Sequence, residues 1–280
     1  MYPQAPPRRR SAYGAPRRKP GCGPRAGIAL VMMVGALIAF YGNSQQNPVT
    51  GETQRVALNV DQEVALGLQA APEMAAQYGG AETGTQAAAL VRQVGARLVN
   101  RTEARTSPYK FNFHLLKDQE TINAFALPCG QIFITRALLN RLETEGQLAG
   151  VLGHEIGHVI QRHSAEHMAR AGLTQGMVNA ASVATDGQAG QMAAMIGQTI
   201  NMRYGRDDEL ESDRSGLRYM YEAGYDPRAL IGVMKILDEA SGGGPPEFLS
   251  SHPKPANRIQ HIQQLIDEQW PGGLPTGLVP

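Results

Sequence analysis

Residues 150–160 read GVLGHEIGHVI and contain the pattern His-Glu-x-x-His, formed by His154, Glu155 and His158. Four residues advance an α-helix by about 400°, so both histidines project from one face, where their ring nitrogens can approach a single Zn²⁺ ion. Glu155 is rotated by about 100° from His154, which suits a general base beside the metal. The other residues here are mostly apolar, and burying this polar group would be costly without a metal. We therefore predict a buried helix with one zinc ion per chain.

A catalytic zinc ion needs a third protein ligand. Glu209 and Asp213 are four residues apart on a predicted helix and therefore share a face. One carboxylate can bind the metal while the other accepts the N–H of a ligating histidine and fixes its tautomer, and at this stage either residue fits either role. His163 and His167 lie about 180° and 220° around a continuous helix from His154, so we predict that they point away from the metal as ordinary polar residues.

The N-terminal residues differ in composition from the rest of the chain. Residues 1–25 contain seven Lys/Arg, six Pro and no acidic residue, which predicts a disordered basic tail in the cytoplasm. Residues 26–41 are uncharged and mostly apolar, which fits either a transmembrane or signal-anchor segment or the apolar part of a cleaved signal. No small-x-small pattern closes the run, which favours an uncleaved anchor. We expect a single-pass protein of the cytoplasmic (inner) membrane whose body faces the periplasm, the alternative being a soluble periplasmic protein.

Charge and composition exclude several classes. Outside residues 1–25 the chain carries 19 basic and 25 acidic residues, so we predict no nucleic-acid partner. Aromatic residues make up 6% of the chain while Gly occurs 32 times, which favours helices packed through small and aliphatic side chains over an all-β fold. Cys22 and Cys129 lie on opposite sides of the predicted membrane segment, which argues against a disulfide. Cys129 has no predicted base partner and is not expected to be a nucleophile.

The remaining pattern predicts an α+β fold that is mostly helical, with a small antiparallel sheet. A polar linker is predicted at 43–55, one domain at 56–270 and a frayed tail at 271–280. The predicted strands are at 110–115, 122–126 and 131–135, the last two forming a hairpin around Pro128-Cys129-Gly130. The predicted helices are at 61–78, 86–99, 144–168, 174–202, 207–223, 227–240 and 255–268. The stretch 174–202, rich in Gly, Ala and Met, is either a core helical hairpin, which we favour, or a mobile cover over the cleft.

Four segments, taken in order, resemble the BepA/HtpX-like zinc metallopeptidases of the gluzincin clan. They are residues 123–135, the His-Glu-x-x-His segment, Glu209-x-x-x-Asp213, and Ser251-His252-Pro253 with Arg258. The resemblance covers about residues 55–268 and implies a zinc endopeptidase in which Glu209 is the third ligand, Asp213 supports a ligating histidine, and Glu211 occupies a variable position. It also implies that a strand along the cleft binds substrate as an added β-strand. That strand contains Asn123, Ala124, Phe125 and Ala126.

The same resemblance implies that His252 reaches the zinc, either as a fourth ligand that closes a resting enzyme or as a donor to the oxyanion of the reaction. Arg258 would lie beside it as a fixed cation able to stabilise that oxyanion. Two features depart from the family. Cys129-Gly130 stands where the family usually has Gly-Gly, and the C-terminal helical repeats of BepA-like members and the four membrane spans of HtpX-like members are not seen in this sequence.

These residues predict peptide-bond hydrolysis. Zinc lowers the pKa of water toward ~7 and polarises the scissile carbonyl, and Glu155 moves the proton from water to the leaving amine. We expect polypeptide substrates, namely misfolded or unassembled proteins outside the cytoplasm. The alternative is a zinc-containing chaperone or adaptor that binds extended segments with little cleavage. A purely structural zinc site is disfavoured, because such sites usually have four ligands, commonly including Cys.

Overall fold

The computed structural model describes residues 23–56, 58–184, 204–241, 246–252 and 257–280. Its helices are α1 (Gly23–Gly42), α2 (Val60–Gln77), α3 (Gln86–Arg101), α4 (Arg136–Leu139), α5 (Glu145–Ile160), α6 (His163–Ala184), α7 (Arg206–Glu222), α8 (Ala229–Ala240), α9 (Glu247–Ser251) and α10 (Arg258–Gln269). Its strands are β1 (Ser44–Gln46), β2 (Thr53–Arg55), β3 (Asn112–Leu116), β4 (Ala124–Ala126) and β5 (Gln131–Thr135). The predicted class, mostly helical with small sheets, is confirmed.

The three-stranded sheet has the order β3-β5-β4. β4 and β5 form the predicted antiparallel hairpin, and Gly130, with a φ of +86°, supplies the left-handed residue of its turn. One glycine is enough there, so Cys129 fits where the family usually has another glycine. β3, however, pairs with β5 in parallel, so the sheet is mixed and the prediction of an antiparallel sheet was wrong in this respect. Alternating side chains indicate a strand but carry no information about its direction.

The sheet lies between α2 and the main core. On one face, α2 covers Leu127, Cys129 and Phe133, and burial raises the pKa of the Cys129 thiol, as expected for a packing residue rather than a nucleophile. The other face joins a core that includes side chains of α3, α5, α7, α8 and α10. Residues 146–160 of α5 are all buried, so the helix with the His-Glu-x-x-His pattern is central to the molecule.

The prediction of one continuous helix over 144–168 was wrong, because α5 ends at Ile160 and α6 begins at His163. Arg162 lies between them with a φ of +59°, a left-handed conformation that an α-helix cannot continue through. Its guanidinium is buried, forms an ion pair with Glu63 and donates to the Leu58 carbonyl at 3.1 Å. These long-range contacts hold the break, which neither Gly nor Pro marks in the sequence.

Residues 43–55, predicted to be a linker, instead contain the antiparallel pair β1 and β2. The Asn47 side chain donates to the Ile160 carbonyl at 2.8 Å, and the Gln54 side chain donates to the Gln161 carbonyl. The last carbonyls of a helix have no intrahelical donor. The polar side chains that suggested a linker therefore cap the C-terminal end of α5.

The prediction of a frayed tail at 271–280 was also wrong. The Val279 N–H donates to the Gly224 carbonyl at 3.0 Å, and the Gly146 N–H donates to the Pro280 carbonyl at 2.8 Å. Because the first N–H groups of α5 have no intrahelical acceptor, the tail satisfies one of them. The helices α2, α3, α7, α8 and α10 agree with their predicted bounds to within three residues, whereas the short helices α4 and α9 were not predicted.

α1 and α6 pack against each other as a pair of helices. Arg25–Gly42 of α1 is the one candidate membrane span among the described residues.

Between residues 171 and 181 of α6 only Ala180 is buried, so this part of the predicted helix 174–202 does not enter the core, contrary to the alternative we favoured. Residues 185–202 of that prediction, and 1–22 of the predicted tail, lie outside the described residues.

Candidate metal centre

α5 and α7 approach each other at backbone distance where the metal motif lies. A Cβ on Gly157 would lie 2.6 Å from Ser212 Oγ and 3.0 Å from the Ser212 carbonyl oxygen, and a Cβ on Gly216 would lie 3.1 Å from His154 N. The Ser212 hydroxyl also donates to the His154 carbonyl at 2.6 Å. Glycines at these positions therefore let the carboxylates of α7 reach the histidines of α5.

The predicted ligands converge in a buried cluster. The Nε2 atoms of His154 and His158 lie 3.0 Å apart. Glu209 Oε1 lies 3.4 Å from His158 Nε2, and Glu209 Oε2 lies 3.5 Å from His154 Nε2. His252 joins them, with Nδ1 3.0 Å from Glu209 Oε1. One ligand atom from each of the four residues lies within 4.8 Å of the other three, and all four residues are buried.

Asp213 lies behind His154, on the side away from the cluster. Its Oδ1 accepts from His154 Nδ1 at 3.0 Å, so the lone pair of that ring is left on Nε2, facing the cluster. Arg258 donates through Nε and Nη2 to Asp213 at 2.9 and 2.7 Å, and its Nη1 lies 2.9 Å from Glu209 Oε2. The structure thus separates the two carboxylates: Glu209 faces both Nε2 atoms, and Asp213 orients His154.

The electrostatics of the cluster follow from complete burial. Burial raises the pKa of Glu155, whose carboxylate oxygens have no hydrogen-bond partner among the described residues. Burial lowers the pKa of His158 well below its ordinary value, which keeps the imidazole neutral. Burial opposes the charge of Glu209, but His252 and His158 hold the pKa of that carboxyl well below its usual range. Burial opposes the charge of His252 as well, yet Glu209 and Glu155 raise its pKa.

This donor set fits a zinc ion. Two Nε2 atoms and an ionised carboxylate point at one another in the interior, an arrangement that is costly for the atoms alone and favourable around a cation. Two histidines and one glutamate are a ligand set found in catalytic zinc sites. The residues that would hold the ion are His154, His158 and Glu209, with His252 within reach of the same atoms.

The four residues expected to bind substrate lie at one edge of the sheet. Ala124, Phe125 and Ala126 form β4, which pairs with β5 on one side only among the described strands, and β4 packs against α5. Asn123 precedes the strand, and its amide nitrogen donates to the Tyr78 hydroxyl at 3.1 Å. The expected strand is therefore an edge strand next to the helix that carries the metal motif.

Three residues around His158 were missed or misplaced by the sequence analysis. His163 is 1% exposed, and its Nδ1 lies 2.8 Å from His158 Nδ1, so the prediction that it points away from the site was wrong. The angular estimate assumed one continuous helix, and the break at Arg162 turns the side chain back. Glu211 Oε2 lies 3.2 Å from His163 Nε2, and the Tyr204 ring stacks on His158 with 3.9 Å between centroids.

His167 pairs with Asp208 at 2.7 Å, as an ordinary polar residue. A signal for the break was present in the sequence. Residues 161–164, Gln-Arg-His-Ser, form a run of four polar residues after the apolar helix.

Residues 85–266 match the model of peptidase family M48. The chain is 34% identical over 193 residues to the β-barrel assembly-enhancing protease of Escherichia coli (strain K12), which covers 65% of this chain and 39% of that protein. It is 30% identical over 245 residues to the mitochondrial metalloendopeptidase OMA1 of Schizosaccharomyces pombe, covering 84% and 71%. It is 30% identical over 195 residues to the metalloprotease YcaL of Escherichia coli (strain K12), covering 66% and 75%. The chain therefore spans only 39% of the length of the β-barrel assembly-enhancing protease that it matches.

Proposed function

The chain belongs to peptidase family M48, and on this premise we propose that it is a zinc endopeptidase that hydrolyses polypeptides outside the cytoplasm. The observation that carries the proposal is the convergence of His154 Nε2, His158 Nε2 and the Glu209 carboxylate beside Glu155, in a fully buried group. When bound by those three residues, zinc supplies Lewis acidity that lowers the pKa of water and polarises a carbonyl.

Glu155 is the proposed general base. It follows His154 on α5, and neither of its oxygens has a hydrogen-bond partner among the described residues, so the carboxylate is free to accept a proton. Burial raises its pKa, which strengthens it as a proton acceptor and lets it carry the proton to the leaving amine.

Asp213 and Arg258 are proposed to position the ligands. Asp213 fixes the tautomer of His154, and the buried guanidinium of Arg258 is shared between Asp213 and Glu209. Because that guanidinium is already engaged with two carboxylates, we propose that Arg258 orients them rather than stabilising an oxyanion, the role that the resemblance implied.

His252 is proposed as a fourth ligand in the resting site. Its ring lies against Glu209 and has Nε2 3.5 Å from Glu155 Oε1, so it occupies space next to the proposed base. The ring would therefore have to move before a substrate carbonyl could approach. The other role, donation to the oxyanion, predicts a different cleavage rate for the variant His252→Ala.

The proposed substrates are misfolded or unassembled proteins outside the cytoplasm. An extended segment could add to the edge strand β4 through main-chain hydrogen bonds, which favours unfolded polypeptides over folded ones. The name of one relative, a β-barrel assembly-enhancing protease, supports a role in envelope quality control. We place α1 in the inner membrane and the body in the periplasm, because residues 1–25, ahead of the apolar run 26–41, contain seven basic residues. A soluble periplasmic form would result if the segment were cleaved.

The test uses the purified full chain in detergent with an unfolded protein such as reduced casein. We expect cleavage by the wild type that a zinc chelator abolishes, and a loss of about 10²–10⁴-fold in Glu155→Gln with the zinc content unchanged. Wild type that binds casein but cleaves it no faster than Glu155→Gln would overturn the proposal in favour of a chaperone or adaptor.

A further inference from the structure

α1 exposes apolar side chains over most of its surface. Val31 is 72% exposed, Ile38 67% and Leu30 61%. Arg25–Gly42 is long and apolar enough to cross a membrane, and only 6% of that span is buried within the molecule. Such a surface needs an apolar environment. If α1 is the proposed membrane anchor, the hydrocarbon of the bilayer provides that environment.

The less exposed face of α1 lies against α6. A Cβ on Gly176 of α6 would lie 2.7 Å from Ala36 Cβ, so the two backbones approach closely at small residues. Beyond Gly176, Ala180 is buried and Val183 is half-buried on the same face of α6. On α1, Ala29 is buried. The two helices are therefore in contact well inside the apolar span.

The composition of α6 changes at Arg170. Residues 171–184 carry no charge, whereas Arg170 forms an ion pair with Glu166 at 3.0 Å. Three polar side chains beyond that point bond within the helix: Thr174 Oγ1 donates to the Arg170 carbonyl at 3.0 Å, and Gln175 donates to Asn179 at 2.9 Å. These bonds lower the cost of placing the three side chains in hydrocarbon, because no water is available there to bond them.

The two helices reach their polar ends at the same level. Tyr41, near the end of α1, has the Arg55 guanidinium 5.1 Å from its ring centroid, an aromatic and basic pair of the type found at membrane surfaces. At about 1.5 Å per residue, Ala36 lies about 7.5 Å from Tyr41 and Gly176 about 9 Å from Arg170 along their helices. The contact between Ala36 and Gly176 therefore lies at nearly the same distance from the polar end of each helix.

We propose that α6 enters the lipid bilayer beside α1, from about residue 171 to 184, a length of about 20 Å. Lipid hydrocarbon is the occupant that covers its outer face, including Met177, which is 43% exposed. The inference rests on the proposed membrane anchor and deepens it. α6 begins at His163, next to His158, so the metal centre lies about 10 Å from the membrane surface. The site then faces polypeptides lying at that surface.

Single cysteines in the full chain, with Cys22→Ser and Cys129→Ala as background, test the depth of α6. Met177→Cys probes α6, Val31→Cys probes α1, and Leu68→Cys, an apolar position on α2 that is 53% exposed, is the matched control. The protein is reconstituted in vesicles of phosphatidylethanolamine and phosphatidylglycerol, with a membrane-impermeant maleimide supplied on both sides.

We expect Leu68→Cys to react at least about tenfold faster than Met177→Cys and Val31→Cys, and all three to react in SDS. If Met177→Cys reacts as fast as Leu68→Cys while Val31→Cys stays protected, the anchor stands and the inference about α6 is overturned. If Met177→Cys and Val31→Cys both react fast, the anchor itself fails. Quenching by brominated lipid of a fluorophore on Met177→Cys gives an independent measure of depth, and no quenching would also count against the inference.

Discussion

His163 Nδ1 lies 2.8 Å from His158 Nδ1, and the other ring nitrogen of His163 lies 3.2 Å from Glu211 Oε2. Two ring nitrogens can bond only if one carries a hydrogen and the other a lone pair. Because His158 presents Nε2 to the cluster, its Nδ1 carries the hydrogen when it binds a metal, and His163 Nδ1 accepts it. Glu211 then accepts from His163 Nε2, so a glutamate on α7 would fix the orientation of a proposed ligand on α5.

His163→Leu removes the acceptor for His158 Nδ1, and we expect zinc affinity to fall by about 10–100-fold. His163→Asn can place its amide oxygen near the former Nδ1 and should retain most of the affinity. Competition with a chromophoric chelator measures both variants. Equal affinities in the two variants would mean that His163 acts only through packing.

Glu209→Gln should lower the zinc content of the purified protein far more than Glu211→Gln. The reason is that Glu209 faces both Nε2 atoms, whereas Glu211 acts through His163 and its amide replacement can still accept a hydrogen bond. Metal analysis by mass spectrometry measures the difference. A larger loss in Glu211→Gln would show that the ligand on α7 has been assigned wrongly.

His252→Ala separates the two roles of His252. If His252 is a fourth ligand that closes the site, its removal should leave zinc bound and raise basal proteolysis, including self-cleavage. If His252 donates to the oxyanion, its removal should leave zinc bound and lower the rate of proteolysis by about 10²–10³-fold. Zinc content and casein cleavage are measured on the same protein. Wild-type values of both would exclude both roles.

Gly157→Ala should destabilise the protein by about 1–3 kcal/mol, because the new Cβ would lie 2.6 Å from Ser212 Oγ and 3.0 Å from the Ser212 carbonyl oxygen. Gly172→Ala, in α6, is the matched control. Its Cβ meets nothing within 4 Å, so alanine should stabilise the helix by about 0.5–1 kcal/mol. Thermal unfolding midpoints in EDTA, which removes the contribution of metal, compare the two. A Gly157→Ala midpoint at or above the wild-type value would contradict the close approach of α5 and α7.

Asn47→Ala should cost about 1–2 kcal/mol, because it removes the donor to the Ile160 carbonyl at the end of α5. Glu52→Ala changes an exposed side chain in the same hairpin and should have little effect. Chemical unfolding of both variants tests whether residues 43–55 are part of the folded body. Similar small effects would restore the linker interpretation.

The sequence predicted the parts of the fold that depend on local pattern. The apolar residues around His154 and His158 predicted a buried helix, and the spacing of Glu209 and Asp213 predicted that both carboxylates share a face of a second helix. Gly130 predicted the turn between β4 and β5. Periodicity and turn chemistry are properties of neighbouring residues, so they can be read without knowledge of the rest of the chain.

Only the tertiary structure decided which elements meet. The break at Arg162 depends on Glu63, which is 99 residues away, and without it His163 could not reach His158. The direction of β3, the docking of residues 43–55 and the docking of residues 271–280 depend in the same way on distant partners. The division between Glu209 and Asp213 depends on the packing of α5 against α7 and on Arg258, 45 residues after Asp213. A local sequence pattern reports which face of a helix or strand is apolar, whereas the partner of that face is set by contacts between residues far apart in the chain.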